Sequence, residues 1–402
     1  MKNATIATLV AAILLAGLGV ATTSPAAAAT TYVVQVTNDE LDPDPGGNPA
    51  DLSLREAWEL AATDGTDSTI TLQPGATYPL TRCGPADVQE DLNVDGDLDG
   101  PRAGTGDLEV IGRGATIQQT CPHERVLHHL DARLLALSGV TITGGGAGAE
   151  AGLESGGGVY AAHEDGRLHL VEATIRSNRG FAGGGVYASG EVEVDDSTFV
   201  GNSAVFAASA LVANSGEDGI VRIRRSTVSH NHATGLGIAV YTSGPTLLHD
   251  STVVANSAPG GIAANLGGEG QWVSRGSVVA LGSGSRDCQE GLLITGDVAN
   301  LDSDGTCFPG QQRSGLHPQL APLAENGGLT PTHRPVLDSP ALDVVPEAQC
   351  LYQGDQRAEP RPDRPGGSCD LGSVEEPPDP CAPSFPDVGA THPFVRDVCW
   401  LV

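Results

Sequence analysis

The chain has 402 residues, a formal net charge of -29 at pH 7 and a single lysine, Lys2. So acidic a protein repels nucleic acid and anionic lipid, which excludes both as default partners. An anionic polysaccharide is an equally poor default ligand unless a cation bridges it. With no lysine after Lys2, a Schiff-base lysine and a lysine general base are also excluded.

Residues 1–29 are typical of a secretory signal peptide. Lys2 is followed by the apolar run ATLVAAILLAGLGVA and then by small residues up to Ala29, which is the order of an export signal. The run is too short for a stable membrane span, and no later segment is long and apolar enough to form one. We therefore expect a secreted, extracellular protein, either free or associated with the cell wall.

Residues 30–109 are predicted to form an N-terminal cap region. In the segment SLREAWELAA, Ser53 and Glu56 have the spacing of a helix capping box. Four apolar residues of this segment share one helical face: Leu54, Ala57, Trp58 and Ala61. That face can cover the open end of a solenoid and protect its strand edges.

The segment DLNVDGDLDG, which begins at Asp91, is a candidate calcium loop. Its oxygen-bearing side chains alternate along the chain in the manner of a calcium-binding loop. The candidate ligands are Asp91, Asn93, Asp95, Asp97 and Asp99. The twelfth position is Arg102, where an EF-hand has a bidentate Glu, so an acidic surface turn is the alternative.

Residues 110–287 contain an internal repeat. GGGVYASGEVEVDDSTFVGNSA begins at Gly183, and the similar GGGVYAAHEDGRLHLVEATIRSN begins at Gly156. Each copy is anchored on a Thr or Ser that precedes an apolar residue, and successive anchors are 24 to 33 residues apart. The anchors are Thr116, Thr141, Thr174, Thr198, Thr227, Thr252 and Ser277. This period predicts a solenoid of stacked units.

The aligned copies predict β-strands rather than helices. The residue after each anchor is apolar, and so are most residues four and six positions before it, which is the alternation of a strand with one buried face. The first of these columns is Ile117, Ile142, Ile175, Phe199, Val228, Val253 and Val278. Four copies also carry an Asn four residues after the anchor, which favours an Asn ladder at a turn: Asn178, Asn202, Asn231 and Asn256. We therefore predict an all-β fold, a right-handed parallel β-helix.

The eight cysteines of an exported chain favour disulfides over metal ligation, and no zinc-type CxxC spacing is present. They lie in neighbouring pairs along the chain, so we predict local connectivity. The predicted pairs are Cys83 with Cys121, Cys288 with Cys307, Cys350 with Cys369, and Cys381 with Cys399. The periodicity fades after Ser277, and residues 288–375 are predicted to form an irregular C-terminal cap. Residues 376–402 are assigned to a linker and a tail.

These segments together resemble exported bacterial right-handed β-helix proteins that carry a CSLREA motif. The motif is present here as DLSLREAW, with Asp51 and Leu52 where that family often has a cysteine. NLDSDGTC at Asn300, NGGLTPTHRPVLDSPALDV at Asn326 and DQRAEPRP at Asp355 are also similar to the family. The resemblance covers roughly residues 31 to 375. It implies the fold and export, but it implies no reaction.

The tail from Phe385, FPDVGATHPFVRDVCWLV, is similar to the opening of an S-layer-homology motif. Motifs of this type dock proteins onto cell-wall polymers. The chain stops at Val402, so we expect a truncated module, and a segment this short cannot bury a core of its own.

One column of the repeat offers weak candidates for catalysis. Two positions before the anchors, the carboxylates Glu172, Asp196 and Asp250 alternate with Arg225 and Arg275. Paired carboxylates are the signature of a glycosidase. Opposite charges on neighbouring coils also form a surface ion-pair ladder, which needs no substrate. We favour the ladder.

The sequence therefore favours a non-catalytic protein that binds a glycan, a cell-wall polymer or another surface, or that has a structural role. The alternative is a polysaccharide lyase or glycoside hydrolase, because the pectin-lyase fold also supports such enzymes, although fold alone does not establish activity. No cofactor is predicted apart from Ca²⁺ at the acidic loop.

Overall fold

The computed structural model describes residues 29–85, 92–100, 106–131, 133–146, 154–216, 219–296 and 298–377. Residues 1–28 of the predicted signal peptide, the candidate ligand Asp91, the Cys381–Cys399 pair and the S-layer-like tail lie outside this part of the chain. In the described residues, no helix has the length and apolar character needed to cross a bilayer.

The described chain is built almost entirely of short strands. Seven come first: β1 (Thr30–Val33), β2 (Ser68–Thr71), β3 (Thr77–Leu80), β4 (Leu98–Asp99), β5 (Leu108–Gln119), β6 (Leu127–His129) and β7 (Leu134–Thr143). The central coils contain β8 (Val159–Ala161), β9 (Arg167–Val171), β10 (Thr174–Arg176), β11 (Arg179–Ala182), β12 (Val186–Ser189), β13 (Glu191–Asp195), β14 (Thr198–Val200), β15 (Ser203–Ala207), β16 (Leu211–Asn214), β17 (Val221–Arg224), β18 (Thr227–Ser229), β19 (His232–Ala233), β20 (Val240–Thr242), β21 (Thr246–His249), β22 (Thr252–Val254), β23 (Leu266–Gly268), β24 (Trp272–Arg275) and β25 (Val278–Ala280). The last are β26 (Ile294–Thr295), β27 (Leu301–Asp302), β28 (Val345–Pro346) and β29 (Ser368–Cys369). The helices are α1 (Leu54–Thr63) and a 3₁₀ turn at Glu347–Gln349.

The strands form a right-handed parallel β-helix, as predicted. One sheet of 17 strands folds at a corner into two rows, which the long strands β5 and β7 join. The first row includes β9, β13, β17 and β21, and the second includes β10, β14, β18 and β22. A separate seven-stranded sheet, in the order β4-β6-β8-β12-β16-β20-β23, forms another side of the coil. Its parallel neighbours require crossovers of right-handed sense.

The inside of the coil is filled by the aliphatic columns that the repeat predicts. Ile175, Phe199 and Val228 are 0%, 1% and 1% exposed and lie directly above one another. β-branched side chains suit this position because they pack well on a pleated, buried surface. The predicted core columns are therefore confirmed.

Two parts of the predicted alignment are wrong in register. Thr252 pairs with Val278 and not with Ser277, because the last coil is one residue longer than the regular spacing. Trp272 consequently replaces Gln271 at the inward position and is fully buried. In β5, an irregularity between Ile111 and Ala115 shifts the inward residues by two positions.

The predicted Asn ladder is confirmed. Each Asn donates a side-chain hydrogen bond to the next one along the stack: Asn178 to Asn202 at 3.1 Å, Asn202 to Asn231 at 3.0 Å and Asn231 to Asn256 at 3.0 Å. A second ladder, of serine hydroxyls, lies one residue before the anchors and consists of Ser197, Ser226, Ser251 and Ser277. Both ladders satisfy buried backbone N–H groups at the corners, which would otherwise be costly.

Helix α1 closes the N-terminal end of the solenoid. Ser53 and Glu56 form both hydrogen bonds of the capping box, as predicted. Trp58 is fully buried, and its Nε1 donates to the carbonyl of Asp99 at 2.8 Å. The apolar face of the helix thus packs on the first coils and covers their open edges.

The C-terminal residues 330–376 return along the side of the coil and cover the row that contains β14, β18 and β22. The side chain of Gln356 donates to Thr198 Oγ1 at 2.8 Å and accepts from Thr227 Oγ1 at 2.7 Å. The backbone of Ser373 donates to Thr252 Oγ1 at 2.9 Å. We call these three outward threonines the threonine face.

Three of the four predicted disulfides are present in the described residues. Their pairs are Cys83–Cys121, Cys288–Cys307 and Cys350–Cys369. Disulfides of this kind persist in oxidising surroundings such as the cell exterior.

Candidate functional site

The candidate calcium loop wraps around a buried arginine. Arg55, on α1, donates to the backbone carbonyls of Asp95, Gly96 and Asp97 at 3.3, 3.0 and 3.2 Å. Its other side forms an ion pair with Asp39 at 2.6 Å. Three carbonyl oxygens of the loop are therefore engaged by a guanidinium group rather than free to coordinate a cation.

The side chain of Asn93 also forms hydrogen bonds within the protein. Its Oδ1 accepts from the backbone N of Asp99 at 2.8 Å, and its Nδ2 donates to Glu59 Oε2 at 3.0 Å. The amide thus holds the loop against α1. Two other carboxylates of the described loop, those of Asp97 and Asp99, lie close to a third side chain that can bind a metal ion.

That side chain is His128, on β6. Asp97, Asp99 and His128 each offer one ligand atom within 4.8 Å of the other two, and all three residues are buried. His128 Nδ1 lies 3.0 Å from Asp99 Oδ1. Because Asp99 pairs with His128 across β4 and β6, the parallel register itself brings the two side chains together. We call these residues the Asp–His cluster.

The surroundings of the Asp–His cluster are rich in carboxylates. Arg125 Nη1 lies 3.7 Å from Asp97 Oδ2, and its Nη2 lies 3.1 Å from Glu154. Burial and then the nearby charge of Asp99 raise the pKa of Asp97 to about 7. Burial and then Asp97 raise the pKa of Glu124 to about 7 as well. A region that holds several carboxylates so close favours a compensating cation.

A column of tyrosines continues from the Asp–His cluster along the seven-stranded sheet. Successive outward positions are Asp99, His128, Tyr160, Tyr187, Val212 and Tyr241. Tyr160 and Tyr187 stack with ring centroids 5.4 Å apart and planes 9° apart, and the three tyrosines are half-buried. We call Tyr160, Tyr187 and Tyr241 the tyrosine column.

The stacking of the tyrosine column determines which atoms it presents. Because the rings of Tyr160 and Tyr187 stack along the solenoid, their faces contact each other and their hydroxyl ends are left for other partners. Val212 lies between Tyr187 and Tyr241 in the column. Tyr187 Oη accepts a hydrogen bond from Asn214 Nδ2 at 2.7 Å, so its own O–H is left to donate. Neighbouring rungs repeat about every 4.8 Å.

An exposed apolar strip lies next to the tyrosine column. Phe181 and Phe206 stack with centroids 5.1 Å apart. Phe206, Leu236 and Ile262 are 43%, 40% and 42% exposed, and backbone hydrogen bonds join their coils in succession. A polar row beside an apolar row is the pattern that matches a sugar ring, which has hydroxyl groups and a C–H surface.

The weak catalytic candidates lie at the corner between the two rows of the large sheet. Glu172, Asp196 and Asp250 all have positive φ, at 50°, 50° and 46°. Asp196 is bound by Arg225 through two contacts of 2.7 Å. Asp250 is 4% exposed and lies 3.3 Å from Arg361 of the C-terminal segment. These contacts are those of structural ion pairs, and Gly276 rather than Arg275 occupies the next corner.

The tyrosine column and His128 were missed by the sequence reasoning. Their signal is a repeated dipeptide, an inward Val followed by an outward Tyr: Val159-Tyr160, Val186-Tyr187 and Val240-Tyr241. Leu127-His128 and Leu98-Asp99 hold the same place in earlier coils. The anchored alignment began at Thr116 on a different row, so it did not register these pairs.

No protein-family model and no curated protein sequence matches the chain. Among solved structures, a crystal structure of pectate lyase Pel9A is similar, with a TM-score of 0.39 and 14% sequence identity. The superposition covers 87% of this chain and 98% of that one. A likeness this distant carries no argument about activity.

Proposed function

We propose that the protein is a secreted or cell-surface β-helix protein that binds a neutral glycan without cleaving it. The single observation that carries the proposal is the tyrosine column beside the apolar strip. The column supplies three hydroxyl groups along four coils, with Val212 between Tyr187 and Tyr241, and the strip supplies a surface for sugar C–H groups. The rung spacing is close to the length of one pyranose ring, so an extended glycan could contact each coil in turn.

The charge of the chain supports a neutral ligand. A net charge of -29 disfavours the approach of an anionic polysaccharide. The carboxylates that were candidates for hydrolysis offer no support for the enzyme alternative, since Asp196 and Asp250 are held by Arg225 and Arg361.

A glycan array followed by calorimetry tests the proposal. The triple variant Tyr160→Phe, Tyr187→Phe and Tyr241→Phe keeps the rings and removes the hydroxyls. We expect it to weaken binding of the tightest array ligand about tenfold or more, because each lost hydrogen bond costs about 1 kcal/mol. Tyr352→Phe, in the C-terminal segment, is the matched control and should bind as the parent does.

Two results would overturn the proposal. One is an array that shows no ligand, or a ligand whose affinity the triple variant leaves unchanged. The other is the release of reducing sugars or unsaturated uronides from that ligand, which would favour the glycoside hydrolase or polysaccharide lyase instead.

A further inference from the structure

We propose that Asp97, Asp99 and His128 bind a divalent first-row transition-metal ion at the N-terminal end of the tyrosine column. The inference does not depend on glycan binding. It rests on three observations. Two carboxylates and an imidazole converge within 4.8 Å, all three residues are buried, and one carboxylate oxygen has no hydrogen-bond partner among the described residues.

That atom is Asp97 Oδ2. It is buried and accepts no hydrogen bond from the residues that the structure describes. Arg125 Nη1 lies 3.7 Å from it, which is beyond hydrogen-bond distance. Buried carboxylate oxygens are normally hydrogen-bonded, and an exception calls for a water or an ion. Asp97 is 1% exposed, so bulk solvent does not fill this role.

The spacing of the other two ligands fits a shared ion. Nitrogen and oxygen ligands lie about 2.0–2.2 Å from zinc, so two of them on one ion are about 3 Å apart. His128 Nδ1 and Asp99 Oδ1 are 3.0 Å apart. The same distance fits a direct hydrogen bond, and metal titration distinguishes the two arrangements.

The donor set selects the class of ion. Calcium takes six to eight oxygen ligands, many of them backbone carbonyls. Here the carbonyls of Asp95, Gly96 and Asp97 are engaged by Arg55. An imidazole with two carboxylates is instead a donor set of zinc and its first-row neighbours. The nearby carboxylates of Glu124 and Glu154 add negative charge that attracts any cation.

The surrounding fold holds the three ligand residues in place. Asp99 is on β4 and His128 on β6, which pair in parallel. The ring of Tyr160 packs against His128 with centroids 5.3 Å apart. The loop that carries Asp97 is fixed by Arg55. A site held by several supports requires little reorganisation on binding.

The test is titration of the purified, chelator-treated chain with Zn²⁺. We expect one tightly bound zinc per chain and a rise of several degrees in the unfolding temperature, since a ligand that binds only the folded state stabilises it. Asp97→Asn and His128→Gln should each abolish both effects. The matched controls Asp95→Asn, in the same loop, and His232→Gln, an exposed histidine, should retain them.

A measurement on the unmodified chain covers the case in which a variant fails to fold. X-ray absorption of the zinc-loaded protein should show one imidazole among oxygen ligands. A shell with several imidazoles, the absence of stoichiometric zinc binding, binding that survives Asp97→Asn, or stabilisation by Ca²⁺ but not by Zn²⁺ would each overturn the proposal.

Discussion

The threonine face and the tyrosine column are built on the same coils but have opposite surroundings. Thr198 and Thr227 are fully buried beneath the C-terminal segment, whereas Tyr160 and Tyr187 are half-buried. Small hydroxyl side chains allow a second layer of chain to approach and hydrogen-bond. Large, stacked rings instead form a ridge with its polar edge outward. The outward positions of a repeat therefore decide whether a side is covered by a second layer of chain or stays at the surface.

The C-terminal segment is held by a buried charge network centred on Arg361. Disrupting this network should have the largest effect on the free energy of unfolding. Arg361 is 3% exposed, lies 3.3 Å from Asp250 and 3.6 Å from Glu375, and donates to the carbonyl of Gly372 at 2.9 Å. Arg361→Ala removes the guanidinium that contacts Asp250 and donates to the Gly372 carbonyl, and should cost about 3 to 5 kcal/mol of unfolding free energy. Denaturant unfolding checks this.

The control for that experiment is Arg364→Ala. The side chains of Arg364 and its partner Asp343 are 48% and 56% exposed, so their ion pair should contribute under about 1 kcal/mol. Equal losses in the two variants would mean that the segment is not held by the buried network.

Removing a single hydroxyl from the threonine face or from the tyrosine column separates their roles. Thr227→Val keeps the shape of the side chain but removes the hydroxyl that lies 2.7 Å from Gln356 Oε1 and 2.9 Å from Ser373 Oγ. Gln356 Oε1 then loses its hydrogen bond, whereas Ser373 Oγ keeps Thr252 Oγ1 at 3.2 Å. We expect a loss of about 1 to 3 kcal/mol in unfolding free energy with no change in glycan affinity. Tyr187→Phe should do the reverse and lower affinity with little loss of stability. The same response from both variants would erase the distinction between the faces.

The covered side should also make stability depend on pH. Burial raises the pKa of Glu375 to about 8 and that of Asp250 to about 6. Because both values exceed those of the unfolded chain, the folded state binds protons more tightly. Their stabilising contribution is complete below about pH 4 and is lost as pH rises through 6 to 8.

We therefore expect the unfolding temperature to fall by a few degrees between pH 5 and pH 8. Glu375→Gln, which is neutral at every pH, should flatten part of that slope. Melting curves at five pH values measure it. A melting temperature that rises over this interval, or an unchanged slope in the variant, would contradict the assignment.

We expect the smallest effect on the free energy of unfolding from a substitution on the outward surface of β13 and β17. Arg224 lies 2.7 Å from Glu193 and 2.6 Å from Asp195, and these side chains are partly exposed. Solvent and salt screen such pairs, so Arg224→Ala should change the unfolding free energy by under about 1 kcal/mol. A loss as large as that of Arg361→Ala would show that this ladder, too, is a structural element.

The fold was predictable because its signal is repeated. Ile175, Phe199 and Val228 hold one column in three coils, so one ambiguous residue does not change the alignment. Register was predictable only where the coil length is regular, and the extra residue before Val278 displaced the final anchor. A fixed repeat length therefore assigns the wrong stacking partners wherever one coil is longer than its neighbours.

The site was harder to predict because its parts are far apart in sequence and few in number. Asp97 and Asp99 were visible as an acidic run, but His128 is about thirty residues further on, and only the pairing of β4 with β6 brings it to them. Likewise, Gln356 gave no hint in the sequence that it would lie across Thr198 and Thr227. Single contacts between distant segments carry no periodic signal.

Hydroxyl-radical footprinting, with and without the tightest ligand of the glycan array, tests the division between the two faces most directly. We expect the ligand to protect Tyr160, Tyr187 and Tyr241 from oxidation and to leave Tyr352 unchanged. Protection of Tyr352 in place of the tyrosine column, or no protection at a saturating ligand concentration, would contradict it.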